Sequence, residues 1–158
     1  MKTLTTITIL IVTITIISGC AGGIHVFTVT GEVYYNGQPV DNALVQFVQT
    51  TPDGRGAFAS TDKDGKFVVA TQGAEKSGAV PGDYIVLISK ILNVDKNGKE
   101  LPPPEPKEED YSPYAVAEPV ELPLTKNFLP EKYNDRDATD LKATVERKAN
   151  HFRFELKD

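Results

Sequence analysis

Histidine and serine are the side chains of this 158-residue chain whose spacing bears most directly on catalysis. His25 and His151 are separated by most of the sequence, and a pair so placed is more typical of two surface residues than of a zinc or catalytic centre. No serine lies in the Gly-x-Ser-x-Gly pattern that exposes a nucleophile. The serines outside the N-terminal segment are Ser60, Ser77, Ser89 and Ser112. These observations predict that the chain is not an enzyme.

Two carboxylates, Asp62 and Asp64, followed by Gly65, have the spacing that begins a calcium-binding loop. Such a loop needs further oxygen ligands and a glutamate at its twelfth position, which is here Gly73. A tight turn between two strands explains the same residues without a cation. The sequence therefore predicts no bound metal and no cofactor.

The single cysteine, Cys20, occupies the one position where a defined covalent modification is expected. It ends the sequence Ile17-Ser18-Gly19-Cys20, which follows a charge-free apolar run over residues 4–17. A run of about this length is typical of the hydrophobic part of a signal peptide. The small residues Ser18 and Gly19 leave the backbone open to a peptidase. The whole pattern is similar to the bacterial lipoprotein signal, with cleavage before Cys20 and lipid on its sulfur.

This resemblance implies a location and a first partner. Residues 1–19 are expected to be removed as a signal peptide, and residues 20–25 are expected to form a lipidated tether. A diacylglycerol thioether and an N-linked palmitate-type chain on Cys20 would anchor it stably in membrane lipid, since each buried methylene contributes roughly 0.8 kcal/mol. We expect the protein in the cell membrane or the outer membrane, with its domain in the periplasm or at the cell surface. Ala21 after the cysteine favours the outer membrane.

Two alternatives stay open for the N-terminal segment. Residues 3–24 are uncharged and long enough to span a bilayer, so the segment is compatible with an uncleaved transmembrane anchor. A plain secretory signal is the other alternative. The lipoprotein interpretation is preferred because it also explains the position of the only cysteine.

Charge and composition narrow the classes of partner. Without the leader, which carries only Lys2, sixteen basic and twenty-two acidic side chains remain, a formal charge of −6. A mildly acidic domain argues against nucleic acid, because phosphate binding needs clustered lysine and arginine. It also argues against electrostatic docking on anionic lipid. A single cysteine excludes an internal disulfide.

Hydrophobic alternation with a period of two predicts an all-β domain over residues 26–158. In the first strand, Phe27, Val29 and Val33 share one face. The fifth strand is apolar on both faces, which predicts a central, buried position. The last two strands are predicted to form a closing hairpin through residues 147–149. The seven predicted strands are residues 26–35, 43–48, 55–61, 66–71, 83–90, 141–146 and 150–156.

A proline-rich and glutamate-rich insertion, residues 93–123, interrupts this pattern. It holds seven of the eleven prolines of the chain, and prolines favour extended backbone without ladder donors. We interpret it as a long surface loop, either solvated or used to recognise a partner. Its acidic run, residues 105–110, is interpreted as solvated surface, with weak cation binding as the alternative.

A set of short motifs carries a resemblance to a known family. They are Gly31-x-Val33, Asn36-Gly37-x-Pro39-Val40, Ala43-x-Val45-x-Phe47, Thr61-Asp62-x-Asp64-Gly65-x-Phe67, Pro81-Gly82-x-Tyr84 and Leu129-Pro130-x-Lys132-Tyr133. Together they resemble the carboxypeptidase regulatory-like domain of small bacterial lipoproteins. The resemblance implies a seven-stranded transthyretin-like (prealbumin-type) β-sandwich in which these residues shape turns and fill the core.

The resemblance also implies a function class, since such domains accompany peptidases without carrying catalytic residues. We expect a non-catalytic binding or structural module whose partner is a protein or glycan of the envelope. One alternative is a transthyretin-like enzyme with an unrecognised active site. The hydroxyisourate hydrolases end in Tyr-Arg-Gly-Ser, whereas this chain ends in Phe-Glu-Leu-Lys-Asp, and the histidines lack the placement of the intradiol dioxygenases. The other alternative is a self-assembling envelope subunit that pairs through sheet edges.

Overall fold

β-Strands make up the regular structure of the chain in a computed structural model that describes residues 23–102 and 124–158. Cys20 with residues 1–19, which are predicted to form a signal peptide, and most of the proline-rich insertion lie outside the described residues. Within the described ranges there is no α-helix, and the one helical element is a 3-10 turn, Glu131–Tyr133. The prediction of an all-β fold is therefore confirmed. The strands are β1 (Val29–Tyr35), β2 (Gln38–Pro39), β3 (Leu44–Gln49), β4 (Ala57–Ser60), β5 (Lys66–Val68), β6 (Ala70–Thr71), β7 (Gly82–Ser89), β8 (Ile91–Val94), β9 (Leu124–Asn127), β10 (Lys142–Val145) and β11 (Asn150–Leu156).

Two larger sheets face each other, and a separate hairpin stands beside them. In the first sheet, β1 lies between β11 on one side and β2 and β5 on the other. The second sheet has the order β10-β7-β3-β4-β6. The hairpin consists of β8 and β9. The most apolar strand, β7, lies inside its sheet between β10 and β3, as predicted. Its burial is one-sided, since Tyr84, Val86 and Ile88 are buried while Ile85 and Leu87 are partly exposed.

Phe47 of the second sheet is the centre of the core between the two sheets. Its ring lies 5.9 to 6.3 Å from the rings of three phenylalanines of the first sheet, Phe67, Phe152 and Phe154. Val29 and Val33 are fully buried on the predicted face of β1. Burial of a phenylalanine or valine side chain stabilises the fold by about 1.5–3 kcal/mol each. The alternation therefore identified the core face of each sheet.

The predicted closing hairpin is wrong. β10 pairs antiparallel with β7 in the second sheet, whereas β11 pairs in parallel with β1 in the first sheet. Residues 146–149 carry the chain from one sheet to the other. The Asn150 side chain holds this crossing, because it accepts the Glu146 N–H and donates to the carbonyls of Glu146 and Lys148.

The predicted fourth strand also divides between the two sheets. Residues 66–68 form β5 and pair with β1, while residues 70–71 form β6 and pair with β4. Val69 lies at the change of sheet and is fully buried. One extended segment therefore closes this side of the sandwich, and the count of strands exceeds the seven that were predicted.

The hairpin β8–β9 was not predicted from the sequence. Val94 pairs with Leu124, so the two ends of the intervening segment lie side by side. The segment begins with a tight turn, in which the Asp95 N–H bonds to the Lys99 carbonyl at 2.9 Å. The first two residues assigned to the insertion, Asn93 and Val94, thus belong to a strand.

Candidate functional site

One end of the sandwich gathers the N-terminal segment and three connections between strands. Strand register brings them together, because Gln49 at the end of β3 pairs with Tyr84 in β7, and Gly82 pairs with Val145 at the end of β10. The segment before β1 joins the same end through paired backbone hydrogen bonds between Phe27 and Ala79. The connections that meet here are residues 50–56, 72–81 and 146–149. We call this region the N-terminal end.

Gln49 ties two of these connections together. Its Oε1 accepts the Arg55 N–H at 2.8 Å, and its Nε2 lies 3.5 Å from the Pro81 carbonyl oxygen. A side chain at either neighbouring glycine would displace it, since a Cβ at Gly54 or at Gly82 would lie 2.5 Å from Gln49 atoms. The two glycines therefore let the amide bridge the loops.

A groove of about 780 Å³ opens beside this bridge. Its apolar lining comes from Ile24, Phe27, Val80 and Pro81, and its polar lining comes from His25, Gln49, Thr51, Asp53, Arg55 and Arg147. The groove thus combines an apolar surface with two guanidinium groups and one carboxylate. Such a combination suits an amphiphilic ligand that carries an anionic group.

The two arginines of the groove are free of ion pairs within the described residues. The ion pairs found there are Lys66–Asp64, Lys90–Asp41, Lys148–Glu146 and Arg153–Glu155. The Lys148 Nζ lies 2.6 Å from the Glu146 Oε2. Glu146 therefore pairs with Lys148 and not with the adjacent Arg147. Arg55 and Arg147 are both exposed. Their guanidinium donors are therefore accessible to an anion.

The glycines of the predicted motifs serve packing or turns. Gly31 lies in the middle of β1, where a Cβ would overlap the Phe67 ring and the Phe152 carbonyl oxygen. Gly37 has a φ of 82° in the turn between β1 and β2, and Gly65 has a φ of 74°. Such backbone angles favour glycine.

The turn at residues 62–65 uses its first carboxylate internally. The Asp62 Oδ1 accepts the N–H groups of Asp64 and Lys66, each at 2.9 Å. The Asp64 carboxylate is exposed, and its Oδ2 lies 4.0 Å from the Lys66 Nζ. This arrangement matches the predicted tight turn.

The remaining motif residues lie at strand boundaries. Pro39 pairs with Tyr34 in the two-residue edge strand β2. Pro81 and Gly82 turn the chain into β7. Tyr84 is buried between the sheets, and its hydroxyl donates to the Val80 carbonyl at 2.6 Å. Burial raises the pKa of Tyr84.

The two histidines lie on the surface. His25 lines the groove, and His151 lies on the exposed face of β11, where its Nδ1 is 3.0 Å from the Thr30 hydroxyl. No carboxylate hydrogen-bonds to either ring among the residues that the structure describes. In the same residues, no group of three or more histidine, cysteine, aspartate or glutamate side chains is placed to hold a metal ion.

The opposite end of the sandwich carries a second polar cluster. The Lys90 Nζ lies 2.6 Å from the Asp41 Oδ1 and 5.5 Å from the centre of the Phe128 ring. The hydrogen bond from Lys90 holds the pKa of Asp41 below its ordinary value. Nearby, the Tyr35 hydroxyl donates to Asp158, which raises the pKa of Tyr35 and lowers the pKa of Asp158.

The groove residues were missed by sequence reasoning. Gln49, Arg55 and Arg147 belong to three different segments and form no motif. Only the register of β3, β7 and β10 brings them to one place. A signal was present in Pro81-Gly82, which was recognised as a turn but not as one wall of a groove.

Comparisons with known proteins yield no relative for this chain. No family model, no curated protein and no solved structure matches it. Among the described residues, no helix has the length and apolar character to cross a membrane. The sequence signals and the groove are therefore the features of this chain that bear on its function.

Proposed function

We propose that the protein is a lipoprotein of the bacterial cell envelope, anchored through lipid on Cys20, whose folded part is a non-catalytic binding or structural module. The observation that carries this proposal is the order of its parts. Ile17-Ser18-Gly19-Cys20 follows an uncharged apolar run, and the first backbone pairing among the described residues, at Phe27, comes seven residues after the cysteine. Residues 1–19 act as the signal peptide and residues 20–25 as the tether.

The folded part is, in this proposal, a transthyretin-like sandwich of the carboxypeptidase regulatory-like class. Two facing sheets with a shared aromatic core are compatible with that class. The motif residues that suggested it occupy turns, as Gly37 and Gly65 do, or the core, as Tyr84 does.

The absence of an assembled reaction centre from the described residues supports a non-catalytic role. The hydroxyl of Thr30 lies near the imidazole of His151, but no carboxylate in the described part of the chain orients that pair, and it lies on an open strand face. A protein or a glycan of the envelope is the partner class that suits a tethered module, and membrane lipid is the partner of Cys20.

The variant Cys20→Ser tests the anchor. We expect the wild-type protein, purified from membranes, to show by mass spectrometry the loss of residues 1–19 and the added mass of lipid on Cys20. Its processing should be blocked by globomycin, and the Cys20→Ser protein should remain unprocessed by that route. If the variant matures normally and still partitions with membranes, the anchor assignment is wrong.

A metal analysis and a hydrolase substrate screen on the purified protein test the non-catalytic role. We expect no turnover and no stoichiometric metal. Measurable turnover that is lost on Thr30→Val or His151→Ala would instead favour a transthyretin-like enzyme.

A second candidate function is self-assembly through strand edges. β11 has seven residues and pairs on one side only within the described residues, so its outer edge is open to a further strand. Light scattering would then report a defined oligomer at high concentration. A monomer at the same concentration would rule out this candidate.

A further inference from the structure

The groove at the N-terminal end is placed by the anchor against a membrane. Ile24 lines the groove, and Cys20 precedes it by only four residues. Four residues span at most ~14 Å when fully extended. A lipid on Cys20 therefore holds the groove close to the headgroups, and an uncleaved apolar segment would hold it there as well.

The charges of this end differ from those of the whole chain. The formal net charge of the chain is −5, which argues against attraction to anionic lipid. The three connections at this end, however, carry more basic than acidic side chains. The basic residues are Arg55, Lys76, Arg147 and Lys148, and the acidic residues are Asp53, Glu75 and Glu146. The surface that would face the membrane is thus not acidic, and most of the negative charge lies elsewhere.

Arg55 and Arg147 have the chemistry that phosphate binding requires. A guanidinium donates two parallel hydrogen bonds to phosphate oxygens. Both arginines line the groove and neither forms an ion pair within the described residues. Asp53, the carboxylate of the lining, offsets only one of the two positive charges. The apolar lining, Ile24 and Phe27 among it, suits the glycerol and upper acyl region of a lipid.

We propose that Arg55 and Arg147 bind the headgroup phosphates of anionic phospholipids in the membrane that anchors the chain, so that the domain docks on the bilayer by its N-terminal end. This inference rests on the anchor proposed above. Each basic side chain near an anionic surface strengthens binding by about fivefold. Loss of both arginines should therefore lower the ratio of docked to undocked domain by about 25-fold.

The test uses the full chain in nanodiscs of two compositions, phosphatidylcholine alone and an equimolar mixture with phosphatidylglycerol. Hydrogen exchange of residues 50–56 and 146–149 reports docking, and the mass of the intact chain reports lipidation. We expect slower exchange of both connections in the anionic discs, and less slowing at high salt. The variant Arg55→Ala/Arg147→Ala should lose this protection.

The matched control is Lys126→Ala/Arg153→Ala, which removes two exposed basic side chains that line neither the groove nor its connections. It should keep the protection. Both double variants should keep the thermal midpoint within a few degrees, because the four side chains are exposed.

The outcomes separate this inference from the anchor. If the chain carries lipid on Cys20 and exchanges equally in both discs, the headgroup proposal is wrong and the anchor stands. If the chain carries no lipid and stays out of the discs, the anchor is wrong. In that case, sedimentation with phosphatidylglycerol vesicles that depends on Arg55 and Arg147 would sustain the headgroup proposal, and lack of sedimentation would overturn it.

Discussion

The hydroxyl group of Tyr133 binds both polar groups of the Lys157 backbone. It accepts the Lys157 N–H at 2.9 Å and donates to the Lys157 carbonyl at 3.0 Å. Tyr133 is buried at the end of the 3-10 turn, and Leu156, the residue before Lys157, is buried as well. The tyrosine thus fixes the end of β11, the strand that completes the first sheet.

Replacing Tyr133 by phenylalanine should therefore destabilise the protein. The ring would still fill its place, but two hydrogen bonds would be lost, at a cost of about 0.5–1.5 kcal/mol each. The free energy of unfolding from urea titrations measures this loss. Tyr34→Phe is the matched control, since the Tyr34 hydroxyl makes one long contact, 3.3 Å to Glu32 on its own strand. Equal effects of the two variants would show that the Tyr133 clamp contributes nothing specific.

The variant Gly31→Ala should have a free energy of unfolding lower by about 1–3 kcal/mol or more, because overpacking a core is destabilising. The added methyl group would overlap the Phe67 ring and the Phe152 carbonyl oxygen. Gly23→Ala is the control, because no atom of the described residues, other than its chain neighbours, would lie within 4 Å of a Cβ at that position. Thermal unfolding of the two variants and of Gly31→Ala/Phe67→Leu checks the mechanism. The double variant should recover part of the loss, since a smaller side chain replaces one of the two overlapping groups. If the double variant recovers no stability, the overlap with the Phe152 carbonyl oxygen accounts for the whole loss.

Asp41 should make the free energy of unfolding depend on pH in the acidic range. Its pKa is lowered in the folded state, chiefly by the Lys90 hydrogen bond. The stabilisation is therefore present above the ordinary value of 3.8 and is lost as the pH falls from there through the lowered pKa. The contribution is small because the Asp41 side chain is 46% exposed.

The variant Asp41→Asn isolates this dependence. Urea titrations at several pH values below about 4 should show a shallower loss of stability in the variant than in the wild type. Asp137→Asn is the control, because Asp137 forms no ion pair within the described residues. The same slope in all three proteins would contradict the assigned role of the Lys90 contact.

Replacing residues 95–123 by Asn-Gly should leave folding cooperative. Val94 and Leu124 already pair in the hairpin, and Asn-Gly favours the tight turn that would join them. Shortening a loop reduces the entropy lost on its closure by only about 0.6 kcal/mol for each halving. Circular dichroism during heating should therefore show a thermal unfolding midpoint equal to that of the wild type or slightly higher. A broad or strongly lowered transition would mean that the replaced residues pack on the sandwich.

Local features of the fold could be predicted because they depend on neighbouring residues. Alternation placed Phe67 and Val69 inside, and both are buried. Asn36-Gly37 indicated a tight turn, and both residues have positive φ. Each of these inferences concerns which face a side chain takes or how a short turn closes, and such properties are set within a few residues.

The pairing of distant strands could not be predicted in the same way. The alternation in β11 defines its faces, but it does not say that β1 is the partner or that the pairing is parallel. The short connection to β10 favoured a hairpin, and only the crossing held by Asn150 shows otherwise. The groove depends on the same long-range register, which is why Arg55 and Arg147 were not recognised together.

The pairing of β1 with β11 also has a kinetic consequence. Val29 pairs with Asn150, so the side of β1 that faces β11 stays unpaired until the last strand is synthesised. Contacts between such distant residues make folding slow, because a large chain entropy is lost before they form. For the export proposed above, this order means that a nascent chain completes its first sheet only after its C-terminal end is made, which would keep it competent for translocation.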